Sequence, residues 1–105
     1  MLLWLLGWRK RFRVLGVSMK PLLQPGDELL VDVRAYRQSS PNVGDIVVLQ
    51  HPQEPNLQIV KSVTAVTTAG DCFVQGNNPS ASTDSRTFGY VEERLILGQV
   101  VCRFF

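Results

Sequence analysis

Two residues of this chain could act together on a carbonyl group, Ser18 and Lys61. A serine hydroxyl is a poor nucleophile until a base takes its proton, and a lysine can serve as that base only when its amine is neutral. A lysine amine titrates at about 10.4 in water, so a neutral one near pH 7 requires a bias of roughly 4 kcal/mol against the charged form. Burial in apolar surroundings supplies a bias of that size.

Ser18 lies in Gly16-Val17-Ser18-Met19-Lys20-Pro21, between a glycine two residues before it and a proline three residues after. These turn formers disfavour a helix or a long central strand and predict a tight, partly exposed turn. An ordinary turn serine has the same surroundings. Lys61 carries the sharper signal. Alternation over 57–66 puts Leu57, Ile59, Lys61, Val63 and Ala65 on one strand face, and Gln58, Val60, Ser62, Thr64 and Val66 on the other. A lysine on the apolar face is unusual, because lysines are rarely buried without a partner. The competing reading is that its stem passes the apolar neighbours and the amine reaches water. His51 is a rival base, but it sits in a proline-flanked loop where an exposed, uncatalytic histidine is the rule. Asp27, Asp45 and Asp71 each follow a glycine and read as turn caps.

The elements that would position these residues are short strands. Gln24-Pro25-Gly26-Asp27 has the residues of a type II turn. It leads into a strand over 28–34, with Leu29, Val31 and Val33 on one face. Ile46-Val47-Val48-Leu49 is a continuous apolar run that predicts a strand covered on both faces. A hairpin at 67–71 joins the lysine strand to Cys72-Phe73-Val74-Gln75. Residues 76–90 read as a long polar loop, 91–95 as a single helical turn, and 96–104 as a last strand in which Gly98 marks a bulge or a close approach. The result is a mainly β fold: one small antiparallel sheet, barrel-like, with long loops. The chain of 105 residues, 45% apolar and 19% charged, suits one globular domain and excludes wholesale disorder.

The net charge of +2 hides an asymmetry. Residues 1–20 hold Arg9, Lys10, Arg11, Arg13 and Lys20 without an acid, and the other six bases face nine acids. A nucleic-acid surface spread over the domain is therefore not supported. Residues 1–13 form an apolar-basic N-terminal segment ahead of a domain over 14–105. Its apolar run, Met1 to Trp8, is too short to span a membrane and precedes its charges, the reverse of a secretory signal. It reads as a docked strand, as the stub of a longer segment, or as a membrane-surface contact through Trp4, Trp8 and the adjacent bases. Cys72 and Cys102 form no CxxC pair and His51 is the sole histidine, so no metal site and no cofactor is expected.

Four ordered blocks resemble the signal peptidase I family of serine endopeptidases, which use a Ser–Lys dyad. The first is Gly16-Val17-Ser18-Met19-Lys20-Pro21 with Gly26-Asp27. The second is Gly44-Asp45-Ile46-Val47-Val48. The third is Ile59-Val60-Lys61 with Gly70-Asp71. The last is Gly76-Asn77-Asn78 with Ser82-Thr83-Asp84-Ser85-Arg86 and Phe88-Gly89. The resemblance spans residues 16–98. It implies Ser18 as nucleophile, Lys61 as general base, and Ser82 as the residue that orients the lysine amine. It puts the oxyanion hole at Ser18, through its backbone N–H, and Gly16, and gives Met19, Asp71, Asp84 and Arg86 structural roles near the site. Some members carry a serine hydroxyl in the oxyanion hole where this chain has Gly16. The residue after the lysine is usually arginine and is here Ser62. The aspartate common after the glycine of the last block is here Asn77.

The implied partner is a precursor protein that loses an N-terminal leader, bound as an extended strand against a sheet edge. Small size and the missing membrane span resemble the nickel-type superoxide dismutase maturation proteases, whose substrate would be the nickel superoxide dismutase precursor. Leader cleavage of the general signal peptidase kind at a membrane is the alternative within the family. A β domain that binds peptide without catalysis is the alternative outside it. A self-cleaving regulator would need a DNA-binding domain for which the chain has no room. The chain is expected in the cytoplasm or peripherally on a membrane.

Overall fold

The computed structural model describes residues 9–14, 19, 20, 22–78 and 83–104, without the side chains of Arg9 and residues 102–104. Ser18, Gly16, Ser82 and the first eight residues lie outside the described part. Among the described residues six strands form one sheet: β1 (Arg9–Arg13), β2 (Glu28–Asp32), β3 (Ile46–Gln50), β4 (Gln58–Val66), β5 (Cys72–Gln75) and β6 (Ile96–Phe104). Their order across the sheet is β1-β2-β6-β3-β4-β5, and every neighbouring pair is antiparallel. The mainly β expectation holds.

β3 is covered on both faces, as its unbroken apolar run requires. Val47 and Leu49, fully buried, join Val63, Cys72, Val74, Val91 and Leu95 in one core cluster. Val48 joins Val14, Met19, Leu23, Leu29, Val31 and Val60 in another. Each side chain so buried contributes about 2 kcal/mol.

The turn into β2 forms as its residues dictate. Gly26 takes φ +89°, Asp27 N–H donates to the Gln24 carbonyl at 3.1 Å, and Asp27 Oδ2 accepts from Gln24 N–H at 2.9 Å. β2 ends sooner than the alternation suggests. Asp32 Oδ1 accepts from Arg34 N–H at 2.9 Å and turns the chain, which leaves Val33 exposed. In β6, Gly98 lies opposite Val48 of β3 and faces β2. A Cβ there would stand 2.6 Å from Val31 Cγ1 and 2.7 Å from the Asp32 carbonyl oxygen, so glycine is needed for the strands to approach.

Three features depart from the sequence reading. β1 is a strand built almost entirely of bases, with only Phe12 packed on the core. Its charges hide the period of two, yet they suit a sheet edge, where they discourage pairing with another chain. Within the polar loop, Ser85–Phe88 forms one helical turn, α1, capped by Asp84 and ended at Gly89. The turn expected over 91–95 is a 3-10 helix at Glu93–Leu95.

Candidate active site

Lys61 sits mid-strand on β4, opposite Val47 of β3. It is 3% exposed, on the sheet face that also packs Ile59 and Val63. At that exposure the amine is withdrawn from water rather than snorkelling into it. Burial lowers the lysine pKa from its usual value. The Asp84 carboxylate offsets part of that effect, and the Arg86 guanidinium adds to it.

Asp84 is 1% exposed, and its carboxylate is held on several sides. Oδ2 accepts from Gly76 N–H at 2.9 Å and from the Arg86 Nη2 group. Oδ1 accepts from Arg86 N–H at 3.1 Å and from Arg86 Nε at 2.9 Å. One carboxylate thus caps α1, pairs with the arginine of that turn and ties both to the end of β5. Ser85, also buried, accepts from Val74 N–H through Oγ at 2.8 Å. Cys72 and Val91 exchange backbone hydrogen bonds of 2.9 and 2.7 Å. The segment 84–91 therefore covers the outer edge of β5 and brings two charges toward Lys61. The signal for α1 lay in the sequence as Asp84 before a short run ended by Gly89.

Met19, the residue after Ser18, is 1% exposed and accepts from Leu23 N–H at 2.9 Å through its carbonyl. It shares a core cluster with Val60, the residue before Lys61. Both line a cleft of about 250 Å³ with Phe12, Val14, Leu57, Gln58 and Ile59. The cleft lies between β1 and the first half of β4. β5 pairs with β4 only from Ser62 onward, so Gln58, Ile59 and Val60 lie beyond its reach.

Asp71 belongs to the β4–β5 hairpin. Its N–H donates to Thr67 Oγ1 at 3.1 Å, and its Oδ1 faces Glu93 N–H at 3.4 Å. Asp45 accepts through Oδ2 from the Tyr36 hydroxyl at 2.7 Å and from Asn42 N–H at 3.0 Å. His51 is buried at 6% exposure, against the expectation of an exposed loop residue. Its Nδ1 accepts from Gln53 N–H at 3.0 Å, and its ring stands edge-on to Phe88 of α1 at 5.2 Å. A loop histidine is buried here because α1 packs over it, a contact between distant parts of the chain.

The structure thus groups Lys61 with Asp84 and Arg86, and sets Met19 beside Val60. Such a grouping keeps a lysine amine from water, with a carboxylate and a guanidinium of opposite effect on its charge.

The chain is similar in sequence to several known proteases. Mitochondrial ATP-independent inner membrane protease subunit 1b of Arabidopsis thaliana is 37% identical over 112 residues, which cover 84% of this chain and 65% of that protein. Mitochondrial inner membrane protease subunit 1 of Xenopus tropicalis is 30% identical over 107 residues, covering 84% and 64%. Signal peptidase I V of Bacillus subtilis is 28% identical over 137 residues, covering 85% and 82%. The chain spans just under two thirds of the first two relatives. The family described as signal peptidase, peptidase S26, matches residues 1–68 and 66–105, and the chain belongs to that family.

Proposed function

We propose that this chain is a serine endopeptidase domain that removes an N-terminal leader from a precursor protein, with Ser18 as nucleophile and Lys61 as general base. The observation that carries the reading is the burial of Lys61, 3% exposed, with a pKa lowered by that burial. In the proposed cycle the Ser18 hydroxyl attacks the scissile carbonyl as Lys61 Nζ takes its proton. The Ser18 backbone N–H, at the turn with Gly16, stabilises the oxyanion. The amine of the leaving segment takes the proton from Lys61, and the leader remains as an ester on Ser18. A water molecule, deprotonated by Lys61, then splits the ester and frees the enzyme. Ser82 orients the lysine amine, and Asp84 with Arg86 holds the segment that follows Ser82.

The cleft supports an extended substrate. A peptide laid beside Gln58–Val60 would add a strand where β5 does not reach, and would set side chains against Met19 and Val60. The relatives named as inner membrane proteases favour a precursor met at a membrane surface, with residues 1–13 as the peripheral contact. Among the described residues no helix is long and apolar enough to cross a membrane. The nickel superoxide dismutase precursor is one substrate within the reading.

The test is cleavage of leader-bearing precursors, the nickel superoxide dismutase precursor and a mitochondrial inner-membrane precursor among them. The wild-type chain should cut, and Ser18→Ala and Lys61→Ala should not, with circular dichroism unchanged. Cleavage retained by either variant, or no cleavage together with no acylation of Ser18 by a serine-directed probe, overturns the reading.

A further inference from the structure

Ser62 on β4 and Asn77, just beyond β5, meet in space. Ser62 Oγ donates to Asn77 Oδ1 at 3.2 Å. Ser62 follows Lys61 directly on β4. Asn77 follows Gly76, whose N–H is bonded to Asp84. The pair therefore joins the strand that carries Lys61 to the segment that carries its buried carboxylate neighbour. It does so with two uncharged side chains, the half-buried Ser62 and the exposed Asn77.

The charges that act on Lys61 are Asp84, which favours the ammonium, and Arg86, which opposes it. On β3 the residue opposite Lys61 is Val47, and on β5 the residue opposite Ser62 is Gln75, neither of them charged. A cation in place of Ser62, next to Lys61 in the chain, or an anion in place of Asn77, which bonds Ser62, would add to this balance, since unit charges at such separations still interact measurably near a protein surface.

We propose that Ser62 and Asn77 form an uncharged positioning clasp beside Lys61, which fixes the Lys61 strand against the segment that carries Asp84. The proposal rests on Lys61 as general base for its consequence in activity, but its first readout does not need activity. The chain has three lysines, Lys10, Lys20 and Lys61, so ¹³Cε-labelled lysine resolves the Lys61 titration by NMR, assigned with Lys61→Met.

Ser62→Arg should move the Lys61 midpoint down by about 0.5 pH unit, a threefold loss of proton affinity, and Asn77→Asp should move it up by a similar amount. The double variant should return to the wild-type midpoint. The acid limb of the cleavage profile should follow the same three shifts. Thermal unfolding of Ser62→Ala, Asn77→Ala and the double alanine variant should show losses that are not additive. Midpoints that stay within about 0.1 pH unit of wild type in both charged variants put the pair out of electrostatic reach of Lys61 and overturn its placement beside the amine, and additive losses in the alanine cycle overturn the clasp. Titration shifts in a protein that neither cuts a precursor nor acylates Ser18 with a serine-directed probe would leave the clasp beside Lys61 standing and remove the peptidase reading. A cutting enzyme with unmoved midpoints would keep the peptidase reading and remove the placement of the pair beside the amine.

Discussion

Lys61 on β4 and Asp84 at the cap of α1 are buried at 3% and 1% exposure, and the Asp84 carboxylate acts electrostatically on the lysine amine. Arg86 holds the same carboxylate through its backbone N–H and its guanidinium. The carboxylate is thus shared, and its pull on Lys61 only partly offsets burial.

Folding lowers the proton affinity of Lys61, so the folded state binds fewer protons than the unfolded chain between its folded value and about 10.4. Stability then rises with pH across that window, and the penalty of burying the amine is full below it. Lys61→Met keeps the stem and removes the amine. The variant should lose cleavage and unfold at a higher temperature than wild type at pH 6, with the gap closing toward pH 10. A gap that is constant with pH would show that the amine is not desolvated.

Asp84→Asn removes a charge and one acceptor from a buried cluster, at a cost of about 2 kcal/mol in unfolding free energy. The Lys61 midpoint should fall, so the acid limb of the cleavage profile should shift to lower pH. Arg86→Ala removes a cation and should shift that limb to higher pH. Opposite shifts in the two variants test the electrostatic arrangement separately from stability.

The Cys72 thiol is fully buried, and desolvation, followed by the carboxylates of Glu93, Asp71 and Asp45, pushes its pKa up to about 11. Iodoacetamide at pH 8 should leave Cys72 unmodified in the folded protein and alkylate it on addition of denaturant, as read by peptide mass mapping. Rapid alkylation without denaturant would contradict the packing of this cluster.

Gly98→Ala would press a methyl against Val31 and the Asp32 carbonyl oxygen, and backbone cannot yield as a side chain does. The variant should lose more than about 1 kcal/mol in chemical denaturation. An unchanged midpoint would mean that β2 and β6 lie further apart in solution.

Leu57, 41% exposed, forms part of the apolar lining of the cleft. Leu57→Asp should raise KM for a leader peptide about tenfold, equivalent to roughly 1.4 kcal/mol of lost contact, with kcat little changed. A fall in kcat at constant KM would place the substrate elsewhere.

Local patterns in the sequence determined much of this. Pro25-Gly26 specified its turn, the unbroken run at 46–49 specified a strand covered twice, and alternation over 57–66 put Lys61 on an apolar face. These signals act over a few residues, through φ preferences and the side-chain period of two. Whether the amine snorkelled or stayed dry depended on what lay over that face. Only the tertiary structure decided it, by folding 84–91 across β5 and bringing Asp84 and Arg86 to Lys61. The same long-range packing buried His51 under Phe88, paired Ser62 with Asn77, and made a strand of the basic residues 9–13. A strand's periodicity records which face a side chain takes, whereas its cover comes from residues tens of positions away, and no local pattern carries that.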